Sequence, residues 1–68
     1  MTRLRLRLPE EPLERLTVLA RLPDERVDPR SPRMYLAVEE ARQRGHRWWE
    51  IGRALSIPPP TARHLFGP

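Results

Sequence analysis

Proline is the residue that most restricts what this sequence can fold into. Nine of its 68 residues are proline, and each proline fixes its own φ angle and supplies no backbone N–H. Proline also disfavours helical conformation in the residue before it, yet it suits the first position of a helix. Regular structure is therefore expected between the proline clusters, with helices that begin at a proline.

The segment before the first proline, residues 2–8, alternates between leucine and arginine after its first residue. One face carries Leu4, Leu6 and Leu8, and the other carries Arg3, Arg5 and Arg7. A period of two predicts a β-strand. No other segment alternates comparably, so the economical partner for this strand is the same strand of a second subunit. The sequence therefore predicts a homodimer joined through the leucine face.

The rest of the chain is predicted to contain four helices and one ordered, proline-rich linker. The helices are placed at residues 12–22, 32–44, 47–55 and 60–66, and the linker at residues 23–33. Their inner faces follow from helical spacing and comprise Leu13, Leu16 and Ala20, then Met34, Ala37, Val38 and Ala41, then Trp48, Ile51, Gly52 and Leu55, and finally Ala62, Leu65 and Phe66. The expected fold is one small, mostly α domain with an N-terminal β-strand paired between subunits and a helix-turn-helix unit at residues 34–66.

Three consecutive prolines, Pro58 to Pro60, stand where the last helix should begin. Because a residue before proline avoids helical conformation, Pro60 is the first residue predicted to be helical. In a helix-turn-helix the first turn of this helix enters the major groove. Proline rings supply no hydrogen bonds there, although they can pack against a thymine methyl or into a protein groove, so base contacts are expected from later residues. These are Thr61, Arg63 and His64.

The net charge of +4 lies entirely in residues 41–68. That part holds five arginines and a single acid, Glu50, whereas residues 1–40 hold eight arginines and eight acids. Such an excess favours a polyanionic partner. Phosphate contacts are expected from Arg42, Arg44, Arg47 and Arg53.

The segment ARQRGHRWWEIGRALSIPPPTARHLF, residues 41–66, resembles the helix-turn-helix of actinobacterial regulators and of sigma-factor DNA-binding regions. Matching positions are Ala41, Gly45, Trp48, Glu50, Ile51, Gly52, Leu55, Ala62 and Phe66, with Ile57 a conservative match. The resemblance implies a bacterial transcription regulator or accessory protein that binds double-stranded DNA, with two helices in close approach at Gly52. The sequence departs from the pattern at Arg47, at Ser56 and at the three prolines, which replace a capping serine, a turn glycine and the first base-contacting positions.

A second resemblance covers RLRLRLPEEPLERLTVLA, residues 3–20, which is similar to the opening of ribbon-helix-helix repressors and antitoxins. It implies base contacts from paired strands and a phosphate contact from the start of a later helix. The residues concerned are Arg3, Arg5 and Arg7 for bases and Ser31 for phosphate. Pro12 and the long linker depart from that pattern.

The sequence lacks the residues that catalysis or metal binding would need. It has no cysteine and only two histidines, His46 and His64, so neither a disulfide nor a metal site is expected, and no cofactor is expected either. Nothing resembles a nucleophile with its base, so the chain is not expected to be an enzyme. No apolar run approaches a membrane span and no signal peptide is recognisable, so a cytoplasmic location is expected.

Trp49 follows the inward-facing Trp48 and is expected to be partly exposed. Such a tryptophan either stacks on Arg53, four residues later, or anchors an interface with a partner. Two alternatives to the DNA-binding helix-turn-helix therefore stay open. One is a ribbon-helix-helix repressor or antitoxin, and the other is a protein-interaction module that docks through Trp49 and the prolines on a polymerase, a sigma factor or a toxin.

Overall fold

The computed structural model describes residues 7–67 and consists there of four α-helices joined by short connections. The helices are α1 (Pro12–Arg21), α2 (Pro32–Gln43), α3 (Trp48–Leu55) and α4 (Pro59–Phe66). Helix α1 packs against both α2 and α3, and α4 packs against α3. The architecture of this part of the chain is therefore all-helical, with α1 in contact with two of the other three helices.

The prediction of an N-terminal β-strand is wrong. Residues 7–67 contain no strand, and Arg7 and Leu8, which end the predicted strand, lie in irregular structure; residues 2–6 lie outside the described residues. The Leu8 side chain packs against the helical core, and the carbonyl of Pro9 accepts a hydrogen bond from Arg15 Nε at 2.9 Å. A strand needs a neighbour for its backbone groups. Residues 7–67 offer none, so side-chain contacts hold this segment instead.

Helices α1 and α2 begin at the prolines where the sequence predicted that they would. Glu11 caps α1, because its side-chain oxygen accepts a hydrogen bond from the Glu14 N–H at 2.9 Å. Ser31 caps α2 in the same way, with Oγ 3.4 Å from the Met34 nitrogen. A proline follows each cap at a position where a missing N–H breaks no helical hydrogen bond.

Helix α2 ends at a glycine, as predicted. Gly45 has a φ angle of +89°, a conformation that side-chain-bearing residues rarely adopt. Its N–H donates to the Arg42 carbonyl at 2.9 Å, and the His46 N–H donates to the Ala41 carbonyl at 3.0 Å. This pair of bonds is a Schellman motif, and it turns the chain sharply from α2 toward α3.

The connection between α3 and α4 is tight and depends on Gly52. Ser56 adopts the left-handed conformation with φ 60° and ψ 39°, and the Ile57 N–H donates to the Gly52 carbonyl at 2.9 Å. A Cβ atom on Gly52 would lie 2.7 Å from the Ile57 carbonyl oxygen and 3.2 Å from the Pro59 backbone. Only glycine allows the helices to approach this closely, as the resemblance to the helix-turn-helix implied.

Helix α4 begins at Pro59, one residue earlier than predicted, with Pro58 as its N-cap. Proline disfavours helical conformation in the preceding residue but does not forbid it. Pro59 and Pro60 both lie in the first turn, where N–H groups have no partner within the helix. The three prolines therefore neither abolish α4 nor delay it beyond the second of them.

One apolar core joins all four helices. Among residues 7–67, ten hydrophobic side chains are buried: Leu16, Leu19, Met34, Ala37, Val38, Ala41, Ile51, Leu55, Ala62 and Phe66. The predicted inner face of α2 is buried in full, and α1 adds two leucines to the same core. No helix within residues 7–67 is both long enough and apolar enough to cross a bilayer.

Candidate nucleic-acid interface

The three predicted base-contacting residues are all exposed on α4. Thr61, Arg63 and His64 face solvent, whereas Ala62 and Phe66 are buried and fix the opposite side of the helix on the core. This arrangement leaves the outer face of α4 free for contacts with a partner. It is the face that a recognition helix presents to the major groove.

Arg63 and His64 line an open groove between α3 and α4, together with Trp48, Pro59 and Pro60. We call this the α3–α4 groove, and its volume is about 550 Å³. An indole ring and two proline rings make its lining largely apolar, and the guanidinium and imidazole supply hydrogen-bond donors. None of these five residues is acidic. The groove can therefore offer both apolar contacts and donors to an electron-rich partner.

Trp48 lies at the edge of the core rather than inside it, which corrects the expectation of a core position. Its side chain packs against the buried cluster but is only half-buried. The Arg42 guanidinium carbon stands 4.6 Å from the centroid of the Trp48 ring, a cation–π distance. Arg42 Nη1 also donates to the His46 carbonyl at 3.1 Å. Arg42 is thus held over the indole that borders the α3–α4 groove.

The other predicted phosphate contacts lie at different places. Arg44 forms an exposed ion pair with Glu40 at 3.5 Å. Arg47 is the exposed N-cap of α3. Arg53 is exposed on α3 but borders a second groove, away from the α3–α4 groove. The structure thus brings Arg63 and His64 into the lining of the α3–α4 groove and places Arg42 over its Trp48 ring, whereas Arg44, Arg47 and Arg53 do not line this groove.

The first turn of α4 has almost no backbone donors. Pro58, Pro59 and Pro60 occupy the N-cap and the first two helical positions, and none of them carries an N–H. Thr61 therefore carries the first N–H of the helix. The next N–H, that of Ala62, already donates to the Pro58 carbonyl at 3.0 Å. A helix start normally binds phosphate through several such groups. Any phosphate bound at this helix start would therefore be held mainly by side chains rather than by backbone N–H groups.

His46 joins the N-terminus of α1 to the N-terminus of α3. Its Nδ1 lies 2.7 Å from Glu50 Oε2, and its Nε2 lies 3.4 Å from Glu11 Oε1. Only the protonated ring carries a hydrogen on both nitrogens, so the charged form faces both carboxylates favourably. The His46 hydrogen bond lowers the pKa of Glu50 below its ordinary value of 4.5. For Glu11 the pKa is lowered chiefly by the Glu14 N–H.

Glu50 also completes half of a capping box at the start of α3. Its Oε1 accepts from the Arg47 N–H at 3.4 Å. The reciprocal bond would need an acceptor on the Arg47 side chain, and a guanidinium has only donors. The departure at Arg47 therefore removes one capping bond, and the hydrogen bond between Glu50 and His46 adds another contact at the same helix end.

The residues implied by the ribbon-helix-helix resemblance do not form a common surface in the part of the chain that is described. Ser31 is engaged as the cap of α2, and its Oγ lies 3.1 Å from Glu25 Oε1. Leu8, a predicted dimer contact, packs on this chain's own core, and Arg7 is exposed. Outside the described residues lie Arg3, Leu4, Arg5 and Leu6.

Trp49 is exposed, as expected from its position beside Trp48. Its exposed fraction is 55 %, and it borders a second groove between α1 and α3. We call this the Trp49 groove, whose other lining residues are Leu13, Thr17, Glu50, Arg53 and Ala54. Trp49 and Arg53 thus share one surface patch, at the spacing that the sequence indicated.

Sequence reasoning missed two features of this region. The spacing predicts a core position for Trp48, because helical spacing alone cannot show that packing leaves its indole half-buried. His46 was considered only as a metal ligand, although its spacing of four residues from Glu50 is the spacing of a helical ion pair.

Among residues 7–67 no three His, Asp or Glu side chains are grouped as metal ligands would be.

The comparisons with known proteins returned no match for this chain, whether to a protein-family model, to a curated protein or to a solved structure.

Proposed function

We propose that this protein binds double-stranded DNA by placing α4 in the major groove, as a bacterial transcription regulator or an accessory DNA-binding protein of the cytoplasm. The proposal rests on the composition of the outer face of α4. Arg63, His64 and Thr61 are exposed there, beside a groove without an acidic lining residue. A short turn joins α4 to α3, which is the connection expected in a helix-turn-helix.

Charge supports the same proposal. Residues 41–68 hold five arginines and one acid, and that acid, Glu50, is occupied by His46. Arg42 over Trp48 and Arg47 at the start of α3 can neutralise phosphates while Arg63 makes a bidentate contact to guanine. Affinity would then be electrostatic, and selectivity would come from α4.

The test is a titration of the purified protein against duplex DNA at rising salt, followed by fluorescence anisotropy. Affinity should fall steeply between about 50 mM and about 200 mM salt, because each neutralised phosphate contributes about 0.9 to the logarithmic slope. Arg63→Ala should lower affinity for a selected sequence by about 1–3 kcal/mol. Arg30→Ala is the control, since it removes the same charge from the α1–α2 connection, outside the α3–α4 groove. Undetectable binding at low salt would refute the proposal.

A second candidate function is a protein interface at the Trp49 groove, including the self-association expected from the sequence. It rests on the 55 % exposed indole of Trp49 beside the apolar side chains of Leu13 and Ala54. Exposed tryptophans of this kind are common anchors of interfaces. Sedimentation of wild type and Trp49→Ala tests it, because an interface there would shift the variant toward monomer. A monomeric wild type would leave DNA as the partner that we propose.

A further inference from the structure

We propose that the proline-lined start of α4 recognises the C5-methyl groups of thymine, so that this protein selects its DNA site partly by apolar contact. The inference rests on the proposed function and specifies how the α3–α4 groove would distinguish sequences. It predicts that a thymine lies about one or two base steps from the base that Arg63 contacts.

The chemistry of the exposed surface favours this partner. Pro58, Pro59 and Pro60 are all exposed, and they present ring carbons without an N–H or a polar side-chain atom. They can make neither hydrogen bonds to base edges nor backbone bonds to phosphate. The major groove displays one apolar group to such a surface, and that group is the thymine methyl.

The groove beside the prolines adds an argument from charge. Pro59 and Pro60 line it with the half-buried Trp48 on one side and with Arg63 and His64 on the other. Arg42, 4.6 Å from the Trp48 ring, adds a further positive charge at its border. This surface combines apolar rings with cations and has no acidic lining residue. It therefore suits the edge of a nucleic acid better than it suits a peptide that has only apolar side chains.

Helical geometry links the apolar and polar contacts. Arg63 and His64 follow Pro60 by three and four residues, so they lie one turn further along the same face. One turn rises about 5.4 Å, and successive bases along a strand are separated by about 3.4 Å. The prolines and Arg63 should therefore contact bases that are about one or two steps apart. The expected site contains thymine within that distance of guanine.

The experiment compares DNA with and without the methyl group. A pool of duplexes is selected from a random library with the wild-type protein and then amplified with either dTTP or dUTP, so that the two pools differ only in the thymine methyls. Burial of one methyl group corresponds to about a fourfold change in affinity. The dU pool should therefore bind about fourfold more weakly for each methyl contacted.

A variant assigns the effect to the prolines. Pro59→Ser/Pro60→Ser removes the two proline rings that line the α3–α4 groove, so most of the difference between its affinities for the two pools should disappear. Pro60→Ser alone is the second variant, and it should reduce the difference. Pro23→Ser, in the exposed connection after α1, is the control and should retain the full difference. Circular dichroism checks that each variant is folded.

The outcomes separate this inference from the function on which it rests. Equal affinity of the wild type for both pools, or an unchanged difference in the folded double variant, would overturn methyl recognition by the prolines while DNA binding stands. No binding of either pool at low salt would overturn the DNA-binding function itself.

Discussion

Ser56 is the one non-glycine residue among residues 7–67 that has a positive φ angle, at 60°. The left-handed conformation costs a residue with a Cβ atom about 1–2 kcal/mol. The helix-turn-helix pattern that residues 41–66 resemble has glycine at this turn. Ser56 therefore adopts a strained backbone conformation in this turn. The close approach of α3 and α4 at Gly52 restricts the conformations that the connection can adopt.

Ser56→Gly should accordingly stabilise the protein by about 1 kcal/mol, after allowance for the greater freedom of glycine in the unfolded chain. The measurement is the free energy of unfolding in urea. Ser56→Ala is the matched control, since it removes the hydroxyl and retains the strained backbone, and it should not stabilise. A glycine variant less stable than wild type would show that the serine conformation is not strained.

The N-terminus of α3 is held by polar contacts of Glu50 and His46. Glu50 accepts from the Arg47 N–H and faces His46, which also faces Glu11 at the start of α1. Because α3 carries both Trp48 and Gly52, this contact helps to set where the α3–α4 groove lies relative to α1. The groove is therefore linked to the N-terminal half of the chain through charge as well as through the core.

Acidic pH should lower the free energy of unfolding that the Glu50 and Glu11 contacts contribute. A lowered pKa means that the folded state binds the proton more weakly than the unfolded state, so the stability contributed by Glu50 and Glu11 is present above pH 4.5 and is lost as the pH falls below that value. Urea unfolding of wild type at a series of acidic pH values should show the decline. Glu50→Gln should reduce it, whereas Glu10→Gln, which changes an exposed carboxylate outside these contacts, should leave it unchanged. Identical acid profiles for wild type and Glu50→Gln would contradict the assignment.

At the scale of the whole molecule, the four helices of residues 7–67 share one core, and α1 is part of it. Leu16 and Leu19 are fully buried against residues of the later helices, so α3 and α4 are not supported by α2 alone. A domain of this size rarely has more than about 3–5 kcal/mol of stability from its core. Loss of one α1 leucine should therefore unfold α3 and α4 as well.

Leu16→Ala should cost about 2–5 kcal/mol, because the side chain is 0 % exposed. Leu36→Ala removes the same atoms from a side chain that is 65 % exposed, and it should cost far less. Urea unfolding followed by tryptophan fluorescence reports on α3, and circular dichroism reports on all helices. The two signals should change together in the Leu16 variant. A variant in which α3 keeps wild-type stability would show that α1 folds independently.

Local chemistry within the sequence was sufficient to predict the helices. The signals used were caps at Ser31 and Gly45, prolines at helix starts and apolar residues spaced by three to four positions. All of them act between residues close in sequence, so they can be recognised without the tertiary structure. The outward positions of Arg63 and His64 follow from the same periodicity, because the inward positions of α4 are apolar. For these reasons the helix bounds were predicted to within about one or two residues.

Tertiary structure alone decided the features that depend on distant residues. Alternation in residues 2–8 indicated a strand, but a strand forms only where a neighbour pairs with it, and residues 7–67 provide a helical surface for Leu8 instead. The contact between His46 and Glu11 joins residues far apart in sequence. Trp48 is half-buried and shares a groove with residues of α4, so its exposure depends on how the helices pack. Local sequence cannot specify such contacts, because each depends on how complete elements pack against one another.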